Sequence, residues 1–330
     1  MVIFVAMTTI SIPKPFGFSL AAARAFYAGF TPGSGMAAAS IDDELVLAFR
    51  LDRTFDAVAV GLRERGDVIT GDIAGTTDVA GVRKQVSRIL GLDVDGKAWL
   101  AVGERDPVVG RLQQRYAGFF TAAKASPYDA ATWSIIAPRM NMRQAARIKM
   151  AIAESHGDAV TLGGRAHHVF PAPDVLARID SLDGLSDDKL ERLRGIGEAA
   201  ADGMLDADRL RAMDEHDALA ELQTLRGVGP WAASHIYYRG AAVADALPTA
   251  EPRVLHALGM AYDVEPSVAS YERIGRAWRP FGMWVTILLM RDLARTAAWN
   301  APHLGRERAK AGRALTSSLR ATTRRSHAHR

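Results

Sequence analysis

The stretch Leu225-Arg226-Gly227-Val228-Gly229-Pro230-Trp231-Ala232-Ala233-Ser234-His235-Ile236-Tyr237-Tyr238-Arg239-Gly240 decides how the chain is read. It contains G-x-G-x-x-A, a pattern with two readings. A dinucleotide-binding loop of this form follows a strand, precedes a helix and has an acid about 20 residues on. Here Leu219, Leu222 and Leu225 recur every three residues, so a helix precedes the glycines. Pro230 suits the first position of a second helix, where its missing N–H would have no partner anyway. Helix, Gly-x-Gly, helix is a helix-hairpin-helix. Its glycines let the backbone approach a partner without a Cβ clash, and the free amides of the second helix face an anion. Leu225, Gly227, Val228 and Gly229 are therefore candidates to grip a DNA phosphate backbone without reading bases. The same pattern occurs 32 positions earlier, as Leu193-Arg194-Gly195-Ile196-Gly197-Glu198-Ala199-Ala200, and two copies are too few for a solenoid.

Outward from the hairpin, the flanking chain reads as helical. Residues 127–137 form a helix that stops at Pro138, and 141–157 form a second one capped by Asn141, with Gln144 three residues on. Pro138, Arg139 and Met140 are then a tight exposed link. Residues 264–278 place Val268, Tyr271, Ile274 and Trp278 on one stripe, Pro280 breaks it, and 282–299 form a mostly buried helix. The N-terminal part differs. Residues 43–52 and 55–62 alternate as strands, 67–73 add a third, and 79–92 carry Val82, Val86 and Ile89 at helical spacing. The expected fold is α+β: a small antiparallel sheet-and-helix domain over 1–105, a mostly α-helical helix-hairpin-helix domain over 106–301, and a tail over 302–330.

Composition narrows the chemistry. The chain has 330 residues, 48% hydrophobic and 24% charged, proportions that exclude a wholly disordered or collagen-like polymer. It has no cysteine, which excludes disulfides, thiolate zinc sites, cysteine nucleophiles and cysteine-ligated clusters together. His167 with His168, and His327 with His329, make poor metal pairs, so neither a metal nor a cofactor is expected. The apolar run from Met283 to Met290 is far short of the roughly 20 residues of a membrane span. The start, MVIFVA, lacks a basic region and a small-residue cleavage site, and Met7 is an alternative start. No membrane association and a cytoplasmic location are expected. Between His303 and Arg330 eight basic residues face one acid, Glu307; the segment carries +7 of a chain whose net charge is +4, leaving −3 on residues 1–302. That tail reads as a nucleic-acid arm or a solvated terminus.

The hairpin, with ADALPTAEPRVLHAL (244–258) and WRPF (278–281), resembles the DNA-3-methyladenine glycosylase II family of the helix-hairpin-helix glycosylases. Weaker likeness extends over roughly residues 14–300. The resemblance implies a monofunctional glycosylase that removes damaged, alkylated bases from duplex DNA as a monomer. Trp231 stands where bifunctional relatives hold a Schiff-base lysine. The family's 20-residue spacing from the hairpin Trp to its catalytic Asp lands on Glu251, one methylene longer. The resemblance puts Trp231, His235 and Met290 in the substrate pocket, with His235 and Met290 replacing aromatic residues. It puts the side chain that fills the gap left by a flipped base near Arg139 and Met140, where an apolar residue is usual. These departures also leave room for a non-catalytic binder of damaged or distorted DNA, or for a different base preference. A carboxylate suits the reaction because N-glycosidic cleavage passes through an oxocarbenium-like sugar, which a fixed anion stabilises.

Overall fold

The computed structural model describes residues 8–29, 37–38 and 43–296. The basic tail lies outside the described residues. Strands β1 (Thr8–Pro13), β2 (Ala37–Ala38), β3 (Leu45–Arg50), β4 (Ala57–Arg65) and β5 (Val68–Ala74) form one sheet in the order β1-β5-β4-β3-β2. Every neighbouring pair is antiparallel. The three strands read from sequence are its centre, and β1 and β2 extend it at the edges. A further hairpin, β6 (Asp158–Leu162) and β7 (Arg165–Val169), lies in the part expected to be helical and corrects that expectation. Its turn residues Gly163 and Gly164 have φ of 57° and 75°, which two-residue hairpins of this twist require.

That hairpin explains why β3 is buried along its whole length. Leu45, Leu47 and Phe49 point into the main core, while Val46 and Ala48 pack on Val160, Leu162 and Val169 of the hairpin. An antiparallel sheet usually leaves one face to water; here β3 and the middle of β4 are covered on both, while β1 keeps alternate residues exposed.

The helices are α1 (Leu20–Gly29), α2 (Val79–Leu90), α3 (Gly96–Arg105), α4 (Pro107–Arg115), α5 (Pro127–Ile136), α6 (Met142–His156), α7 (Pro173–Leu176), α8 (Asp187–Ala201), α9 (Ala207–Ala212), α10 (Glu215–Leu222), α11 (Pro230–Ser234), α12 (Pro252–Tyr262), α13 (Val268–Gly275) and α14 (Gly282–Leu293). Val82, Val86 and Ile89 of α2 are fully buried, as their spacing requires. Gly91 ends α2 at φ 70°; a Cβ there would stand 2.7 Å from the Trp284 ring, so the packing as well as the turn calls for glycine. Helix α5 is buried almost all round and runs through the centre of the molecule.

Two expectations are corrected, and the internal repeat is placed. The helix placed at 264–278 is α13 followed by a short 3₁₀ turn, Arg276–Trp278, because Ser267 caps it by accepting from the Ser270 amide at 3.1 Å. Val268 is consequently exposed, while Tyr271 and Trp278 are buried. The helix placed at 282–299 ends at Leu293 and turns over Ala294–Thr296; the rest lies outside the described residues. The earlier G-x-G copy is not a turn but lies inside α8. No proline follows it, and Gly197 instead gives α8 close contact with α7: a Cβ there would meet the Pro173 carbonyl at 2.6 Å.

Residue 105 is the last of α3, two residues before α4 begins, and the packing does not pause there. Trp278 of WRPF donates from Nε1 to Asp106 Oδ2 at 3.1 Å, and Tyr262 donates to the same oxygen at 2.7 Å. Asp106 also caps α4 by accepting from the Val108 and Val109 amides. One carboxylate thus ties the sheet side to the C-terminal helices, and one apolar core runs through both.

Candidate active site

The hairpin forms as the sequence directs. Gly227 sits at φ +87°, and a Cβ there would come within 2.6 Å of Arg192 Cδ and 3.2 Å of Ile135 Cδ1. Val228 is 4% exposed and pins the turn to the core. Gly229 caps α11, Pro230 is its first residue, and a Cβ on Gly229 would meet only open space. The turn therefore presents bare backbone at a helix start, the arrangement that accepts a phosphate.

After one turn α11 widens into a π-helical segment, His235–Gly240, with the Ala241 amide donating to the Ile236 carbonyl at 3.1 Å. Such widening recurs at functional sites because it re-aims side chains. Gly240 closes it against α5: a Cβ there would be 2.6 Å from Pro127 Cα.

Trp231 and Glu251 meet. Trp231 donates from Nε1 to Glu251 Oε2 at 2.7 Å. Glu251 is the N-cap of α12, and its Oε1 accepts from the Arg253 amide at 3.3 Å, ahead of Pro252 at the first helical position. One oxygen is fixed by the hairpin and the other by the helix start, where the positive end of the helix favours an anion. Trp231 stacks on His235, with ring centroids 5.3 Å apart and planes 11° from parallel. Three residues expected in one site are thus linked by direct contacts. Met290 lies on a different element, α14, half-buried against the main core.

Arg139 is exposed at φ +64°, the left-handed conformation that turns the chain between α5 and α6. Lys189 of α8 braces this link by donating from Nζ to the carbonyls of Ile136 at 2.6 Å and Pro138 at 2.9 Å. Met140 packs half-buried on the core, so Arg139 is the exposed tip. Helix α8 also borders the hairpin turn: Arg192 lies against Gly227, and Arg226 pairs with Glu191 and Asp188. The link and the hairpin turn therefore share one side of the molecule.

A buried charge cluster beside His235 escaped sequence reading. Lys124 is fully buried, with Nζ 3.7 Å from Asp129 Oδ2 and 4.8 Å from the centre of the Trp133 ring. Lys149 pairs with the other oxygen of Asp129. Burial brings the Lys124 amine down to about 7, against the pull of Asp129. Burial alone would raise the Asp129 carboxyl, but Lys149 and Lys124 hold it below its usual range. Burial first, then Lys124 and Arg239, push His235 well below its usual value, so its imidazole is neutral. Asp129 and Lys149 lie 20 residues apart on successive helices. The one sequence sign was an acid in an otherwise apolar helix.

Among the described residues no group of three or more His, Cys, Asp or Glu could hold a metal ion. No helix among them is long and apolar enough to cross a membrane.

A helix-hairpin-helix with a capped carboxylate at its second helix, built across a sheet-and-helix layer, is the fold of the helix-hairpin-helix DNA glycosylases. The 3-methyladenine DNA glycosylase from Archaeoglobus fulgidus matches it with a TM-score of 0.73 and 19% identity, over 87% of this chain and 99% of that one. The apo form of the 8-oxoguanine glycosylase/lyase from Clostridium acetobutylicum matches with a TM-score of 0.62 and 16% identity, over 86% of this chain and 94% of that one. In sequence the chain is similar to the DNA-3-methyladenine glycosylase of Bacillus subtilis (strain 168): 24% identical over 217 residues, 64% of this chain and 71% of that one. No protein-family model matches. The chain is thus similar in sequence to one DNA-3-methyladenine glycosylase and shares the fold of another.

Proposed function

We propose that the protein is a monofunctional DNA glycosylase that hydrolyses the N-glycosidic bond of damaged, alkylated bases in duplex DNA, as the first step of base excision repair. The observation that carries this reading is the Trp231–Glu251 hydrogen bond, which holds a carboxylate at a helix start beside the hairpin. The hairpin turn grips phosphates, and Arg139 on its braced link enters the stack as the base leaves it. Extrusion costs about a few kcal/mol, least for a damaged base. As the C1′–N bond breaks, its electron pair leaves with the base and positive charge grows on the sugar. Glu251 stabilises that charge and orients a water whose oxygen bonds to C1′; the water's proton passes to the carboxylate or to solvent. No lysine stands at position 231, so no imine forms there and the product is an abasic site in an intact strand. The protein acts as a monomer, and a cysteine-free chain suits the reducing cytoplasm.

Release is read by incubating the protein with a duplex that carries one modified base and then treating with alkali. Breaks only after alkali are expected. Duplex binding without release from any modified base would favour the non-catalytic binder. A borohydride-trapped protein–DNA adduct would contradict monofunctional chemistry, because only an imine reduces to a stable link.

A further inference from the structure

The hairpin turn has a charged border that a backbone grip does not explain. Arg226 is the residue before Gly227, and Arg192 of α8 lies against that glycine: a Cβ on Gly227 would come within 2.6 Å of its Cδ and 3.2 Å of its Nε. The Arg192 Nε is closed off from solvent. The stem of Arg192 is therefore held on the turn, and only its terminal nitrogens are free to change partner. Both guanidinium groups are occupied by carboxylates of α8. Arg192 Nη2 is 2.7 Å from Asp188 Oδ2, and Arg226 Nη2 is 3.4 Å from Oδ1 of the same residue. Arg226 pairs with Glu191 through its other terminal nitrogen. Two arginines and two acids thus form a group without net charge beside the bare amides of the turn.

The start of α8 does not by itself require this arrangement. Ser186 already caps the helix by accepting from the Lys189 amide. Asp187 supplies first-turn negative charge as Asp188 does, and Glu191 lies beyond the first turn. It is Asp188 that meets both arginines, one of them on another element. The four side chains are 35% to 60% exposed, so a ligand reaches them and their pairing is cheap to break. Phosphate is the stronger partner for a guanidinium, because it accepts two parallel N–H bonds and carries more charge.

We propose that Arg192 and Arg226 are phosphate ligands held in reserve: Asp188 and Glu191 occupy them in the free protein, and a DNA phosphate arriving at the hairpin turn displaces the carboxylates. The displaced acids remain beside the phosphate as like charges. The exchange therefore weakens the grip on every duplex and lets the protein leave DNA that holds no lesion. This rests on the DNA-binding hairpin of the reading above, and not on the chemistry of base release.

The test is equilibrium binding of an undamaged duplex by the full chain over a series of salt concentrations. Asp188→Asn is compared with Asp187→Asn, which removes the same charge one residue away. Asp188→Asn should bind more tightly than Asp187→Asn by about threefold or more, the size of one exposed ion pair. Its slope of log affinity against log salt should also be steeper, because no displaced carboxylate takes up a cation as the DNA sheds one. Arg226→Gln should bind more weakly than the wild type. With Arg192 and Arg226 both changed to Gln, Asp188→Asn and Asp187→Asn should bind alike. If Asp188 only ties the hairpin to α8, Asp188→Asn binds more weakly than Asp187→Asn, and the proposal is overturned. An advantage of Asp188→Asn that survives the loss of both arginines is general repulsion and overturns it too. Base release from a modified duplex is followed in parallel. Its absence, with these affinities in place, sinks the catalytic reading and leaves the exchange standing; no binding of any duplex by any of these chains sinks both.

Discussion

Glu251 shows what one residue reveals in sequence and what it conceals. Its distance from Trp231 along the chain marked it, and its place before Pro252 and Arg253 read equally well as an ordinary helix-start acid. The structure joins the two readings: one oxygen caps α12 and the other accepts from the hairpin indole. Trp231→Phe keeps the ring but removes that N–H. It should therefore lower the rate of base release more than it changes duplex affinity, and equal changes in both would mean the indole serves only to pack. Lys124 was illegible, because a lone lysine between alanines gives no sign of the helices that will enclose it. Its amine titrates near 7 in the folded chain against 10.5 for an ordinary lysine. Between those values the unfolded chain holds a proton that the folded chain does not, so stability rises with pH across that window; below it both states are protonated, the slope vanishes and the cost of the buried charge is full, and above it the cost is gone. Lys124→Met removes the group. The stability gap between wild type and variant, from urea melts at pH 7 and 9.5, should shift toward the wild type at the higher pH. Parallel curves would place the amine in contact with water.

At the scale of elements, the Asn141 cap and the Pro230 start were legible because each is local: side chain and amide lie within three residues of each other. The β6–β7 hairpin also carries a local sign, two glycines between alternating residues, yet the strongly helical neighbourhood obscured it. The two G-x-G copies separate on one residue. Proline after the second glycine forces a new helix at 230, whereas glutamate lets α8 continue through the first copy. The link between α5 and α6 is functional in this account because it is braced. Arg139→Ala should reduce base release from duplexes much more than from single strands, which need no propping open. Lys189→Met should do the same at one remove, by freeing the carbonyls of Ile136 and Pro138. Equal losses on both substrates would reduce Arg139 to a phosphate contact. Gly227→Ala, at φ +87° and against Arg192, should weaken binding to every duplex alike, as a backbone grip requires. A loss confined to damaged duplexes would contradict that.

At the scale of the whole molecule, the main core runs from the sheet to the C-terminal helices and a second small cluster lies between β3 and the β6–β7 hairpin, and this was the least legible level. Long-range packing, such as Trp278 on Asp106, leaves no trace in local periodicity. The charge distribution, by contrast, is plain in the sequence: a net +7 beyond residue 302 on a chain that is otherwise acidic. If that segment is a DNA arm, removing residues 303–330 should weaken binding to any duplex and flatten the slope of log affinity against log salt. An unchanged slope would make it a solvated terminus. Everything else in the molecule, sheet, hairpin, braced link and capped helix, serves in this account to hold one carboxylate beside the C1′ carbon of a flipped nucleotide. The direct measurement is single-turnover base release by Glu251→Gln, which keeps the shape and the cap but removes the charge. The expected result is a loss of about 10² or more in rate, as for removal of a preorganised electrostatic group, with duplex affinity held or slightly raised. Unchanged base release by Glu251→Gln from an active wild type would leave Glu251 a helix-start acid and contradict the account.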